Sequence, residues 1–277
     1  MIITRVRTAL VAVGTAALLA IPATIATTSA ATAATSNKLT VTAGEYTYKL
    51  SGSPKPGNVE IVFDNAGVEI HMVVVIQLKP SVTDKQLKQA MLSDDDAAVE
   101  KLVTGQGFNI GGTPGLLSGG VSTTNIASLK AGHYGLLCFV PDPEGVPHVA
   151  HGMVKVFDVK GSKSTLKPPT DGVSEVELSE AGITLPSAGL PKNGWIKVTN
   201  TGSGPRDLTL AKYEDASATF EQVDAAVDAF FETGAFPGGT APVLLNGGVS
   251  TLAPGASGYV EVTFESGRWT AVSSDDD

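Results

Sequence analysis

The chain has 277 residues, with 19 Lys and Arg against 28 Asp and Glu and a formal net charge of -9. So acidic a chain is a poor nucleic-acid binder, because phosphate neutralisation needs Lys and Arg. Its 31 glycines, with abundant Val and Thr and few long helical patterns, point to β structure and to either one large all-β unit or two ordinary ones.

The first residues read as an address. Arg5 and Arg7 precede an uncharged apolar run over residues 9–21, and residues 30–34 (AATAA) offer several small-residue cleavage sites. That order predicts a secretory signal peptide over residues 1–34. The apolar run is shorter than the ~20 residues that span a bilayer, and no later segment is long and apolar enough. Removal of residues 1–34 takes away two arginines and no acid, moving the formal charge from -9 to -11. The expected mature protein is exported, without an integral membrane segment.

From residue 35 onward the chain repeats itself. Residues 59–67 (VEIVFDNAG) have a counterpart in residues 195–202 (WIKVTNTG), with Asn65 and Asn200 standing 135 positions apart. An apolar strand is expected after each, over residues 71–78 and 207–212. Helix starts with the same capping box follow at Thr83 with Gln86 and at Thr219 with Gln222. Leu87, Ala90 and Met91 then keep helical spacing, as do Val223, Ala226, Val227 and Phe230. Both copies carry GGVST, at residues 119–123 and 247–251, and Gly132-His133-Tyr134 matches Gly267-Arg268-Trp269. One such similarity could be chance; the same order throughout is not. Short β segments separated by Gly, Pro and Asn favour a Greek-key sandwich or barrel. Residues 160–172 are polar, Pro-bearing and unpatterned, and predict a linker. The expected organisation is therefore a signal over 1–34, a first unit over 35–159, a linker over 160–172 and a second unit over 173–277.

Cys138 is the only cysteine, which is odd in an exported protein because it can form no internal disulfide. It closes an apolar strand, residues 135–139 (GLLCF). A loop over residues 140–147 leads to His148, and His151, Gly152 and Met153 follow before another strand. His71 lies upstream, soon after Asn65 and Gly67. Two imidazoles, one thiolate and a thioether are the donor types of a type 1 copper site, in which soft sulfur favours Cu(I) and imidazole serves both oxidation states. Each residue alone has a plainer reading: Cys138 as a small buried hydrophobe, Met153 as core, His71 as a strand-end histidine. His133, beside the Gly132 turn, reads as a surface residue. His151 is the rival of His148. It stands only two positions before Met153, and in an extended segment the two side chains would point the same way.

In these residues the sequence resembles the cupredoxin family, such as plastocyanins and the type 1 domains of copper nitrite reductases. The resemblance covers roughly residues 37–159. It rests on His71, on Tyr134 with Cys138, and on His148 followed by Gly152-Met153. It implies two tandem cupredoxin-like Greek-key β-sandwich domains, each with a small helical insertion. It further implies one type 1 copper ion held by His71, Cys138 and His148 in plane and by Met153 axially. The loop between Cys138 and His148 is closer in length to the nitrite reductase type than to the plastocyanin type. Many family members place Asn directly after the first ligand histidine, tying the two ligand loops together. This chain has Met72 there, which leaves potential and colour open.

The second unit has Arg206 where His71 would stand and Ser273 where Cys138 would stand. It reads as a copy that cannot hold this site. Histidines do not flank Cys138, whose neighbours are Leu137 and Phe139, and the chain has four histidines in all. Oxidase and nitrite reductase activities are therefore not expected, and the chain reads as no enzyme. The leading expectation is a secreted one-electron carrier with an unidentified redox partner protein. The alternatives are an extracytoplasmic copper capture or delivery protein and a metal-free β-sandwich binding protein.

Overall fold

A computed structural model describes residues 9–11, 37–93, 95–104 and 110–273. The first half contains strands β1 (Ala9–Val11), β2 (Lys38–Gly44), β3 (Thr47–Ser51), β4 (Gly57–Asn65) and β5 (Val74–Leu78). Helices α1 (Asp84–Met91) and α2 (Asp96–Glu100) follow, then β6 (Ser122–Leu129), β7 (Gly132–Leu137), the single helical turn α3 (His148–His151) and β8 (Val154–Val159). The second half contains β9 (Ser174–Ser179), β10 (Gly182–Thr184), β11 (Asn193–Asn200), β12 (Arg206–Tyr213), α4 (Phe220–Thr233), β13 (Val243–Leu252), β14 (Ser257–Thr263) and β15 (Trp269–Val272). The expected export segment lies outside the described residues except for β1, which pairs with β15.

Alternation explains the half-buried strands. Leu39, Val41 and Ala43 of β2, and Val59, Ile61 and Phe63 of β4, point inward while their neighbours face out. β7 differs: Tyr134, Leu136 and Leu137 are all buried, because β7 is the middle strand of the sheet β5-β7-β8. Cys138 follows directly on this most enclosed strand. Both capping boxes are present, with Thr83 accepting from the Gln86 N–H and Thr219 from the Gln222 N–H.

The two halves repeat their strand pairings. β4 lies parallel to β2 and antiparallel to β6, as β11 lies parallel to β9 and antiparallel to β14. Their internal polar bonds repeat as well. The Asn65 side chain donates to the carbonyls of Glu69 and Leu117 and accepts from the Gly67 N–H. Asn200 donates to Gly204 and Leu252 and accepts from the Gly202 N–H. Glu45 accepts from the Val68 N–H and Glu180 from the Ser203 N–H. The Tyr134 hydroxyl bonds the Lys130 carbonyl, and the Trp269 indole bonds the Glu265 carbonyl.

The halves do not stand apart. β14 pairs antiparallel with β6, so that one sheet of eight strands runs in the order β10-β9-β11-β14-β6-β4-β2-β3. Beneath it, β13 hydrogen-bonds to residues 113–118 of the first half, through Gly247 N–H to Leu116 O, Ser118 N–H to Leu245 O and Ser250 N–H to Thr113 O. Phe230 of α4 is buried in the same apolar core as Val140, Cys138 and Met153.

Candidate metal centre

Three side chains from separate segments meet in the first half. His71 precedes β5 rather than opening it: its N–H and carbonyl form an isolated bridge to Leu117, and β5 begins at Val74. The strand expected from residue 71 is shorter because this bridge, with the Asn65 side chain pinning the Glu69 and Leu117 carbonyls, replaces the first ladder positions. Cys138 ends the β7 chain direction, its carbonyl accepting from the Val149 N–H. His148 is delivered by α3, which starts after Pro147 and stops at Gly152, whose φ is 113°. This left-handed position suits glycine, which has no Cβ to clash.

The extended segment expected between His148 and Met153 is thus a helical turn. The Met153 N–H bonds back to the His148 carbonyl at 3.0 Å, and the Met153 carbonyl accepts from the Cys138 N–H at 3.3 Å. Met153 is fully buried in the core that contains Cys138. His151 points away from the triad, its Nε2 at 2.7 Å from Asp142 Oδ2 and its ring stacked on Tyr46. His133 is not the surface residue expected from its turn. Its Nδ1 is 2.8 Å from Asp158 and its Nε2 2.7 Å from the Val82 carbonyl. Position beside a glycine turn does not decide exposure when α1 and β8 cover the strand.

The geometry of the triad is compact. His71 Nδ1 lies 3.0 Å from His148 Nδ1, and Cys138 Sγ lies 3.5 Å from His148 Nδ1 and 4.0 Å from His71 Nδ1. A point equidistant from the three atoms of that triangle lies about 2.1 Å from each, the length of a bond from a transition metal to nitrogen or sulfur. All three residues are 0% exposed. Among the described residues this is the one group of three His, Cys, Asp or Glu side chains that could hold a metal ion. The donors therefore fit a small soft or borderline cation.

Burial sets the protonation. It pushes the Cys138 thiol up to about 12, against the nearby Met72 and Val140 N–H groups, which favour the thiolate. It lowers His71 to about 4, helped by the neighbouring His148. It also lowers His148, against the pull of Glu69. A metal would displace the Cys138 proton and meet two neutral imidazoles.

Around the triad stand residues that sequence reasoning missed. Glu69 Oε2 lies 2.9 Å from His148 Nε2, and Glu69 Oε1 accepts from the Tyr46 hydroxyl at 3.0 Å. The Tyr46 ring meets His148 edge-on at 5.0 Å. The approach of Glu69 to His148 falls short of hydrogen-bond geometry, so the Glu69 carboxylate acts on His148 through its charge. The Tyr48 hydroxyl donates to the Met72 carbonyl. Tyr48 thus holds the backbone of Met72, the residue directly after His71. The signal for Glu69 was its position two residues before His71; for Tyr48 there was none, since its partner is a backbone group.

The depressed imidazoles make a pH prediction for the metal-free protein. In the unfolded chain His71 returns to 6.5, so between pH 6.5 and about 4 the unfolded state binds more protons than the folded one. Stability is then retained above 6.5 and declines as the pH falls through this window. Thermal unfolding of metal-stripped protein should give a lower Tm at pH 5 than at pH 7.5, and His71→Gln should shrink the difference. An equal drop in both proteins would assign the acid lability elsewhere.

The chain matches no protein-family model and no curated protein sequence. Among solved structures it is similar to dithionite-reduced auracyanin from Roseiflexus castenholzii, at 22% identity and a TM-score of 0.31, covering 46% of this chain and 98% of that one. It is also similar to a multicopper oxidase, at 13% identity and a TM-score of 0.24, covering 82% and 78%. A copper-containing nitrite reductase from Thermus scotoductus SA-01 follows at 12% identity and a TM-score of 0.22, covering 83% of this chain and 54% of that one. At these values the likeness bears on fold alone. The expectation that the chain is no enzyme is corrected by this comparison. Oxidases and a nitrite reductase stand among the similar structures, so enzymatic activity is not set aside. Fold and site together define an all-β chain with a buried His-Cys-His group that could hold a metal.

Proposed function

We propose that residues 35–159 form a type 1 copper domain in which His71, Cys138, His148 and Met153 would hold the ion. The linker over 160–172 joins it to a second domain over 173–277 that holds no copper, and the chain acts outside the cytoplasm after loss of residues 1–34. No helix among the described residues is long and apolar enough to cross a membrane. The observation that carries the reading is the buried triangle of two Nδ1 atoms and one Sγ. Copper bound by such a set supplies one-electron transfer between Cu(I) and Cu(II). The chain's own residues hold the donors close together, exclude water, and set the Glu69 carboxylate 2.9 Å from His148 Nε2. One-electron exchange with a redox partner protein is the function this arrangement supports best.

Copper capture or delivery is the second reading, and complete burial of the three donors favours it, since no ligand edge reaches the surface. Metal analysis with a visible spectrum of purified protein separates the two. About one copper per chain, with an intense band that reductant bleaches and oxidant restores, is the expected result. Tight Cu(I) binding without a stable coloured oxidised form would select capture, and absence of stoichiometric copper would remove both.

A further inference from the structure

Helices α1 and α4 begin alike, at Thr83 and Thr219, yet α1 ends at Met91 while α4 runs on to Thr233. The extension is what reaches the first half. Phe230 enters the core shared with Val140, Cys138 and Met153, stacked on Phe236 at 4.6 Å. Gly234, which ends the helix with φ 77°, lies against the turn inside the loop that joins Cys138 to His148. A Cβ there would sit 1.8 Å from the Asp142 carbonyl oxygen and 3.0 Å from the Gly145 nitrogen. Those two atoms form the hydrogen bond that closes this turn, at 2.8 Å. The Asp142 carboxylate braces the turn further, accepting from the Glu144 and Val146 N–H groups. On the other side of the site, β13 bonds to residues 113–118, and Leu117 of that segment bridges both His71 and Asn246. Each segment that supplies an imidazole is therefore backed by the second half.

We propose that the second half is a clamp on the metal centre: the last two turns of α4 press on the loop leading to His148, while β13 backs the segment that holds His71. Together they keep the two imidazoles at the separation that Cys138 completes. Phe230 and Gly234 are positioning residues, acting through the loop and the core beside it. The inference deepens the copper reading in assigning the second half a role at that site, but its physical content is the rigidity of the ligand loop, which is measurable without metal.

Cys138 is the single thiol and is fully buried, so its labelling rate by an aromatic disulfide in metal-free, full-length protein reports opening of the loop. Gly234→Ala should raise that rate at least about tenfold, because the added methyl cannot coexist with the Asp142 turn. Gly239→Ala is the control: its φ is 75°, so it bears the same backbone strain, but a Cβ there meets nothing within 4 Å. It should label at close to the wild-type rate. Phe230→Leu, which thins the contact without inserting an atom, serves if Gly234→Ala does not fold, and should also accelerate labelling. Labelling of Gly234→Ala no faster than Gly239→Ala, or of Phe230→Leu no faster than wild type where Gly234→Ala is unfolded, would overturn the clamp. If labelling accelerates while the wild-type protein takes up no copper, the clamp stands and only the copper reading falls.

Discussion

Cys138→Ser is expected to abolish the intense visible band of the copper-loaded protein while leaving a folded chain. The band of a type 1 site arises from charge transfer between the thiolate and the metal, and a hydroxyl neither ionises at this position nor offers a soft donor. Burial already holds the thiol at about 12, so a bound metal would have to displace its proton. A serine hydroxyl, far less acidic, does not yield to the same pull. The substitution is small in volume, and His148 Nδ1, now at 3.5 Å from Sγ, is near enough to receive the new hydroxyl's hydrogen bond. The cost to stability should stay within about 1–3 kcal/mol, the range for a buried polar group with imperfect partners. Absorption should fall more than tenfold, with circular dichroism unchanged. A retained band would remove Cys138, and with it the blue-copper reading.

The two histidines of α3 should part company just as sharply. His148→Ala takes away one corner of the triangle and leaves Glu69 facing a cavity without its imidazole. Copper affinity should fall by more than the 10–100-fold typical for loss of a residue behind a ligand. The residual complex should be open to water and lose its colour. His151→Ala removes a ring stacked on Tyr46 and an ion pair with Asp142 at a half-exposed position. Pairs of that kind contribute about 1 kcal/mol or less, so the spectrum should hardly move. The structure supplies a firmer reason for this difference than spacing did. Within one helical turn His148 turns inward to the core and His151 stays with the loop, whereas an extended chain would have tied His151 to Met153. Bleaching by His151→Ala with colour kept in His148→Ala would reverse the ligand assignment.

Much of this was legible because it depends on residue type and order. Asn65 and Asn200, and the two capping threonines, make matching bonds in both halves and are visible as repeated letters, while Tyr134 and Trp269 match as aromatics two positions after a glycine. The three converging donors were legible for the same reason: few other residues offer their chemistry. What escaped notice depends on contact at long range. The pairing of β14 with β6 is made by backbone groups that every residue carries, so Tyr259 facing Ile126 leaves no mark in the sequence. The reach of α4 rests on a helix that outlasts its counterpart, and Gly234 reads as an ordinary helix stop until the Asp142 carbonyl is seen against it. His133 and the turn of α3 failed for a related reason, since neighbouring glycines mark a bend without saying what packs over it.

The eight-stranded sheet has a consequence in time. A chain made from its N-terminus has produced His71, Cys138 and His148 by residue 148, but β6, already paired with β4, finds its second partner only when residues 257–263 emerge. α4 and β13 also arrive after the last donor. Because domains fold from the N-terminus as synthesis proceeds, the first half must pass through a stage with an open sheet edge and an unbraced His148 loop. Completion of the chain's final strands then covers that edge and braces the loop, so the surroundings of the three donors are finished last.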